Sequence, residues 1–452
     1  MSYVIGLSAV ASIGGLLFGY DTAVISGAIG LLRTKFELDS AMTGWAASSA
    51  LAGCMLGVAL AGPVSDRLGR KKALIGAAVF FLVSALGTAL PRNITEFVIC
   101  RMLGGVGVGA ASMVSPMYIA EISPPRLRGR MVSLNQLAIV SGILLVYFVN
   151  YFIAAAGDAA WNVEQGWRWM FGSEALPAVL LLTLLFFVPE SPRWLVKEGH
   201  REKAKRILLK ASGHGIAEAE LLRIENSLGT QEASLSELFR PGMRVVLAIG
   251  IVLAVLSQVT GINVIMYYAP EIFKQVGSGL DTALLQTVAV GTVNLAFTFV
   301  AIWAIDRLGR KPLMIVGAAG MALAQAGIGV AVFTNASPWL LVAFVLGYIA
   351  CFASSLGPVC WVVLAEIFPT RIRGRAMSLA IISLWGANLV VSQTFPMLNE
   401  HPWLVEQFRH SFPFLVYGLL CVVTVVFVLK VIPETRGMPL EEIEKMWHVE
   451  PV

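Results

Sequence analysis

Charge is scarce in this sequence. Only 13% of its residues are Asp, Glu, Lys or Arg, against about 25% in a typical soluble domain. A chain of 452 residues folded in water would form several domains, and this much charge cannot cover their surfaces. Cysteine is also scarce. The five present, Cys54, Cys100, Cys351, Cys360 and Cys421, all fall in apolar stretches and show no metal-ligand spacing, so small buried thiols are expected. No Walker sequence, catalytic triad or metal motif occurs, so neither ATP hydrolysis nor any other enzyme activity is expected. The run holding Gly104, Gly105, Gly107 and Gly109 follows no strand and sits inside an apolar stretch. It points to close helix packing, not to a nucleotide loop.

Hydrophobic residues make up 57% of the chain. Apolar stretches near 20 residues long, enough to cross a bilayer as helix, fall around 4–32, 41–65, 73–91, 94–120, 131–155 and 167–188. After a charged interval they resume around 243–270, 281–304, 312–334, 338–365, 376–398 and 410–432. Lipid offers no partners for backbone amides, and continuous apolar runs exclude the alternating pattern of a barrel, so these must be helices. The first stretch lacks a basic leader and reads as a span, not a cleaved signal.

Most of the 33 Lys and Arg fall in every second connection and in the central segment. The positive-inside rule then predicts that both termini and the central segment are cytoplasmic. The net charge of +5 follows from that topology and implies no nucleic-acid partner.

The chain repeats itself. DRLGRK at 66–71 returns at 306–311, AEISPPRLRGR at 120–130 returns as AEIFPTRIRGR at 365–375, and PES at 189–191 returns as PET at 433–435. One order and nearly one offset imply two parallel six-helix halves. The expected organisation is an N-terminal half at 1–188, a cytoplasmic helical linker at 189–240, a C-terminal half at 241–432 and a cytoplasmic tail at 433–452. In the linker, Ile207, Leu208, Leu221, Leu222 and Ile224 are expected on the apolar faces of short amphipathic helices. Parallel repeats about an axis along the membrane normal, with a site near the midplane, are a transporter pattern.

The paired DRLGRK motifs, PESPRWL at 189–195, PETRG at 433–437 and GGLLFGYDTAVISGA at 14–28 resemble the sugar porter family of the major facilitator superfamily. Within it, SPMYIAEI at 115–122, GINVIMYYAPEIF at 261–273 and GPVCWVVLAEIFP at 357–369 are most similar to the bacterial proton-coupled xylose symporters. The resemblance implies an all-α membrane protein of twelve transmembrane helices. It would carry a monosaccharide, D-xylose or D-glucose, with a proton by alternating access. No cofactor is implied beyond the proton gradient, and the expected partners are sugar, proton and lipid around a monomer. A passive facilitator of the same fold and a non-transporting sugar sensor are the competing readings.

Charged residues at the predicted cytoplasmic turns come in matched sets: Asp66, Arg70, Glu121 and Arg128, then Asp306, Arg310, Glu366 and Arg373. Their mixed signs point to a gate network, and the resemblance adds Glu190 and Glu434 to it. Inside the predicted spans lie Asp21, Arg101 and Glu174, with Glu174 expected about one turn from the membrane edge. Intramembrane charges are costly and by default functional. If Asp21 faces Arg101, protonating Asp21 would free the guanidinium and shift the conformational balance. In the resembling symporters the matching aspartate couples the proton, whereas animal glucose facilitators carry Asn there. A static ion pair is the competing reading.

A sugar needs amides and hydroxyls for its own hydroxyls and aromatic faces for its ring. Gln136, Gln258, Asn263, Tyr267, Tyr268, Asn294, Trp361 and Trp385 supply these within predicted spans, and Gly261 and Gly357-Pro358 are expected to interrupt their helices. For Asn388, interhelical bonding is the better reading. The resemblance implies sugar contact for Gln136, Gln258, Asn263, Tyr267, Asn294, Trp361 and Trp385, with Phe18 and Ile139 lining the pocket. Ile143, Ser257 and Leu384 stand where the xylose symporters carry Gln, which makes a hexose a credible substrate.

Overall fold

In this computed structural model the described residues are 2–124, 127–228, 238–239, 242–368 and 372–436. Among them no strand occurs, and twelve helical segments are long and apolar enough to cross a membrane.

The first five spans are single helices: α1 (Ser2–Phe36), α2 (Ser40–Leu68), α3 (Arg70–Ala89), α4 (Ile94–Ile122) and α5 (Arg128–Ala155). The sixth, Ala159–Phe187, is broken. It comprises α6 (Ala159–Trp161), a π-helical turn (Asn162–Gly166), α7 (Trp167–Gly172) and α8 (Ala175–Phe187). Three short helices follow, α9 (Pro192–Lys197), α10 (Arg201–Ser212) and α11 (His214–Leu228). The seventh span divides into α12 (Met243–Val259) and α13 (Ile262–Gln275). Next come α14 (Leu280–Leu308) and α15 (Arg310–Phe333). The tenth span divides into α16 (Pro338–Ala353) and α17 (Leu356–Ile367). The chain ends in α18 (Arg373–Glu400), the short α19 (Pro402–Phe408) and α20 (Phe412–Val431).

Two of these features correct the sequence reading. The sixth span begins at Ala159, not near 167, because Asn162, Glu164 and Gln165 dilute the hydropathy of its first turns. Glu174 therefore lies mid-span, not one turn from an edge. The tenth span breaks at Ser354 and Ser355, ahead of Gly357-Pro358. Pro358 instead falls in the first turn of α17, where a missing N–H costs nothing. The break at Gly261 stands where it was expected.

Contacts group the chain into two compact units. The first is Met1–Thr22, Ser49–Val146 and Arg168–Glu232; the second is Ala23–Ser48, Tyr147–Trp167 and Ala233–Val452. In the first, α3 packs along α4 and α8. The glycine run of α4 lies against α2, where an added Cβ at Gly105 would stand 1.9 Å from the Ala50 carbonyl oxygen. This is the close approach that small residues permit when no hydrophobic effect drives helices together. In the second unit, α15 packs against α16 and α20, α12 against α18, and α13 against α14 and α18.

The linker helices build a small core of their own from Leu195, Ala204, Leu208, Ala217 and Leu221, with Ile207 and Ile224 packed at its edge. Leu222 departs from the expected face and is half exposed, because it directly follows Leu221 and points around the helix from it.

Candidate functional site

The three intramembrane charges meet inside the first unit. Asp21 and Glu174 have no exposed surface and Arg101 has 1%. Arg101 Nη1 donates to Asp21 Oδ1 at 2.8 Å and to the Asp21 backbone oxygen at 3.0 Å. The guanidinium sits 5.5 Å from the Phe171 ring centroid. Glu174 directly follows the break between α7 and α8, is buried, and lies within electrostatic reach of Asp21 and Arg101. Apart from a carboxyl proton, no donor reaches Asp21 Oδ2 or either Glu174 oxygen. One guanidinium against two carboxyls is thus a place built to hold a proton. Tyr20 Oη and Ser173 Oγ, the chain neighbours of Asp21 and Glu174, bond at 2.7 Å and tie the two helices beside it.

The basic turns form two networks of the same design. In the first unit Arg70 bonds Glu121 through Nε at 3.0 Å and Nη2 at 3.1 Å, and Asp66 through Nη1 at 3.0 Å. Glu190 accepts from the backbone amides of Arg70, Lys71 and Ser191. In the second unit Arg310 Nη2 bonds Glu366 at 3.0 Å, and Glu434 accepts from the amides of Arg310 and Lys311 at 3.1 Å. The side chain of Asp306 lies outside the described residues. Gly69 and Gly309 share φ +94°, and a Cβ there would meet the Glu190 or Glu434 carboxylate at 2.3 or 2.6 Å. Only glycine combines that backbone with so close an approach.

Arg128 does different work from the rest. Arg128 pairs with Glu220 of α11 at 3.2 Å and donates to the Ala120 carbonyl. Arg373 Nε donates to the Phe368 carbonyl at 3.1 Å. Ser191 and Thr435 are members that sequence reasoning missed; their hydroxyls donate to Glu121 and Glu366. The signal was available, because the repeated PES and PET triplets both end in a hydroxyl. Nothing in the sequence pointed to Glu220.

Glu190 is half-buried in the turn after α8. Burial pushes its carboxyl above the usual value of 4.5, while the three amides and the Arg70 charge pull it back.

The amide and aromatic candidates divide by unit. In the second, Asn263 Nδ2 donates to Gln258 Oε1 at 2.6 Å across the α12/α13 break, and Gln258 Nε2 donates to Ser257 Oγ at 3.1 Å. Tyr267, Asn294, Leu384 and Trp385 are buried and Trp361 half-buried. Asn388 links α18 to Tyr267 Oη at 3.5 Å, and Tyr268 Oη donates to the Ser392 carbonyl at 3.0 Å. Tyr268 is thereby committed to an interhelical bond. In the first unit Phe18, Gln136 and Ile139 are half-buried. A cavity of about 340 Å³ in the second unit is lined by Tyr268, Glu271, Phe395 and the ion pair Arg33–Glu400. None of Gln258, Asn263, Tyr267, Asn294, Trp361 or Trp385 lines it.

A sequence profile of the sugar (and other) transporter family matches residues 7–447. The chain belongs to that family. It is 46% identical to the D-xylose-proton symporter of Escherichia coli K12, over 99% of this chain and 96% of that protein. It is 39% identical to the glucose facilitated diffusion protein of Zymomonas mobilis, over 98% and 97%. Among solved structures, the E. coli xylose transporter in a partially occluded inward-open conformation superposes with a TM-score of 0.87 at 45% identity. That match covers 97% of this chain and 100% of the other. The fold is the major facilitator fold, and the protein is a multi-pass protein of the cell membrane.

Within this family member the three positions singled out for departing from Gln are not equally placed. Ser257 and Leu384 are buried in the second unit, and Ser257 Oγ donates to the Ala254 carbonyl at 2.7 Å while accepting from Gln258. Ile143 is half-buried on α5 in the first unit.

Proposed function

We propose that this chain carries a monosaccharide, D-xylose or D-glucose, into the cell together with a proton by alternating access. The observation that carries the reading is the buried Asp21–Arg101–Glu174 cluster, in which one cation faces two carboxyls with no other donor. With a proton bound, Arg101 is released from part of its attraction to Asp21, and the balance between conformers shifts. Gln136, Gln258, Asn263, Tyr267, Asn294, Trp361 and Trp385 hold the sugar, Phe18 and Ile139 bound it, and the small Ser257 and apolar Leu384 tune its size. The charge networks around Arg70 and Arg310 regulate closure at the end carrying the basic turns, which faces the cytoplasm together with both termini. The protein works as a monomer in the bilayer, on the proton gradient alone, with no cofactor.

The reading is tested in proteoliposomes with an imposed inward proton gradient, comparing xylose and glucose. Accumulation above the external level, abolished by a protonophore, is expected for the preferred sugar. Asp21→Asn is expected to abolish accumulation but leave sugar exchange; uphill uptake in that variant refutes the coupling assignment. A second reading, passive facilitation, is favoured by the 39% identity to a facilitated-diffusion protein. Equilibration of the wild type without accumulation would select it and leave Asp21–Arg101 as an ion pair that orients α1 and α4.

A further inference from the structure

The seventh span breaks between α12 and α13, and Thr260 and Gly261 form the break. In an unbroken helix the Thr260 carbonyl would accept from the amide four residues on. Here two side chains from other spans converge on it. Gln325 of α15 donates through Nε2 at 3.0 Å, and Tyr348 of α16 donates through Oη at 2.9 Å. Thr260, Gln325 and Tyr348 have no exposed surface at all. Gly261 adopts φ +91°, and a Cβ on it would lie 2.6 Å from the Tyr417 ring and 3.2 Å from Gln325 Nε2. The break is therefore enclosed on one side by α15, α16 and α20.

Capping alone does not require this arrangement, because one donor satisfies a carbonyl that its own helix cannot. Two donors from two helices fix the direction in which the carbonyl points, and with it the angle between α12 and α13. That angle sets the meeting of Gln258 and Asn263, whose amides bond at 2.6 Å across the break.

We infer that Gln325 and Tyr348 are positioning residues for sugar binding, pinning the Thr260 carbonyl so that Gln258 and Asn263 are presented as one preformed amide pair. This rests on the sugar-transport reading of the preceding subsection. Neither residue touches sugar; both act through the backbone of residues 260–261. Preorganised polar groups bind a polyol better than groups that must first be ordered, so losing the pin weakens binding more than it slows the cycle.

The test measures sugar exchange by the reconstituted full chain, with Tyr348→Phe, Gln325→Leu and the double variant. Each single variant is expected to raise KM about tenfold, as loss of one buried hydrogen bond acting on binding does, with the maximal exchange rate within about twofold of wild type. Because both donors act on one carbonyl, the double variant is expected to fall short of the product of the two single effects. Amide hydrogen exchange at residues 258–268 is expected to rise in parallel. Tyr348→Phe removes a single oxygen and keeps the ring, so it remains informative if Gln325→Leu does not fold. An unchanged KM in folded Tyr348→Phe overturns the inference, as does a lower melting temperature with KM intact, the mark of a structural role alone. A wild type that exchanges neither xylose nor glucose overturns the sugar-transport reading itself, a result distinct from failure of the variants.

Discussion

Glu190 and Glu434 show what one carboxylate can do at the turn between two membrane helices. Each accepts backbone amides from the helix that begins after a glycine of positive φ, and each lies where any Cβ on that glycine would sit. The carboxylate thus caps free N–H groups and neutralises the positive end of the helix macrodipole. For Glu190 the burial that makes this possible raises its proton affinity above that of the unfolded chain. A group that binds its proton more tightly when folded favours the folded state at low pH, and that advantage is lost as pH rises from the ordinary 4.5 through the raised value. Glu190→Gln keeps an acceptor but does not titrate. The melting temperature of Glu190→Gln relative to wild type is expected to rise over that window and then level off; a pH-independent difference would exclude the linkage. The repeated triplets made Glu190 and Glu434 legible in sequence, as the resemblance assigned them. The partners of Arg128 were not legible, because its reach to Glu220 depends on how α11 folds back, a matter of packing and not of spacing.

Among the elements, the broken helices separate what sequence can announce from what it cannot. The break at Gly261 was legible because glycine is the residue that adopts such a backbone freely. The break at Ser354 and Ser355 was not, since two serines in an apolar run carry no such mark, and the nearby Gly357-Pro358 drew attention to the wrong place. The break just ahead of Glu174 was hidden for the same reason, within a span whose start was itself obscured. The linker helices are the opposite case, where periodicity alone placed Leu208 and Leu221 in a common core. That core is small, so each member matters. Leu208→Ala is expected to destabilise the docked linker by about 2–3 kcal/mol. Limited trypsin digestion should then cut at Lys205, Arg206 and Lys210 well before the membrane-embedded part unfolds. Wild-type resistance to cleavage in that variant would mean the linker is held mainly by ion pairs such as Arg201–Glu225 and Arg128–Glu220.

At the scale of the whole molecule, the second unit contains the helix ends that an alternating-access cycle must part. Arg33 near the end of α1 forms a two-pronged pair with Glu400 at the end of α18. Beside it, Gln393 of α18 donates to the Ala41 carbonyl at 2.8 Å and accepts from Ser48 Oγ at 3.0 Å. Tyr147 of α5 donates to the Met266 carbonyl of α13 at 2.7 Å. Helices of the first sequence repeat are thus fastened to helices of the second at the end opposite the basic turns, which the proposed orientation makes the external end. Sugar arriving from outside must pass there, so these bonds belong to one side of the cycle and are absent from the other. The Arg33 side chain is 44% exposed, and an exposed pair contributes only about 1 kcal/mol. Between nearly balanced conformers that is still about a fivefold change in population. Arg33→Glu is expected to favour the externally open conformer, to lower the concentration of external sugar at half-maximal binding by up to about twofold, and to slow net uptake, since the return step loses its latch. A cysteine placed at Asn399 should be labelled faster by an impermeant thiol reagent in that background. Reversing both charges, Arg33→Glu with Glu400→Arg, should restore labelling and affinity toward wild type. If the double variant behaves like the single one, the charge pair does not set the balance, and the neutral contacts of Gln393 and Tyr147 carry the closure instead.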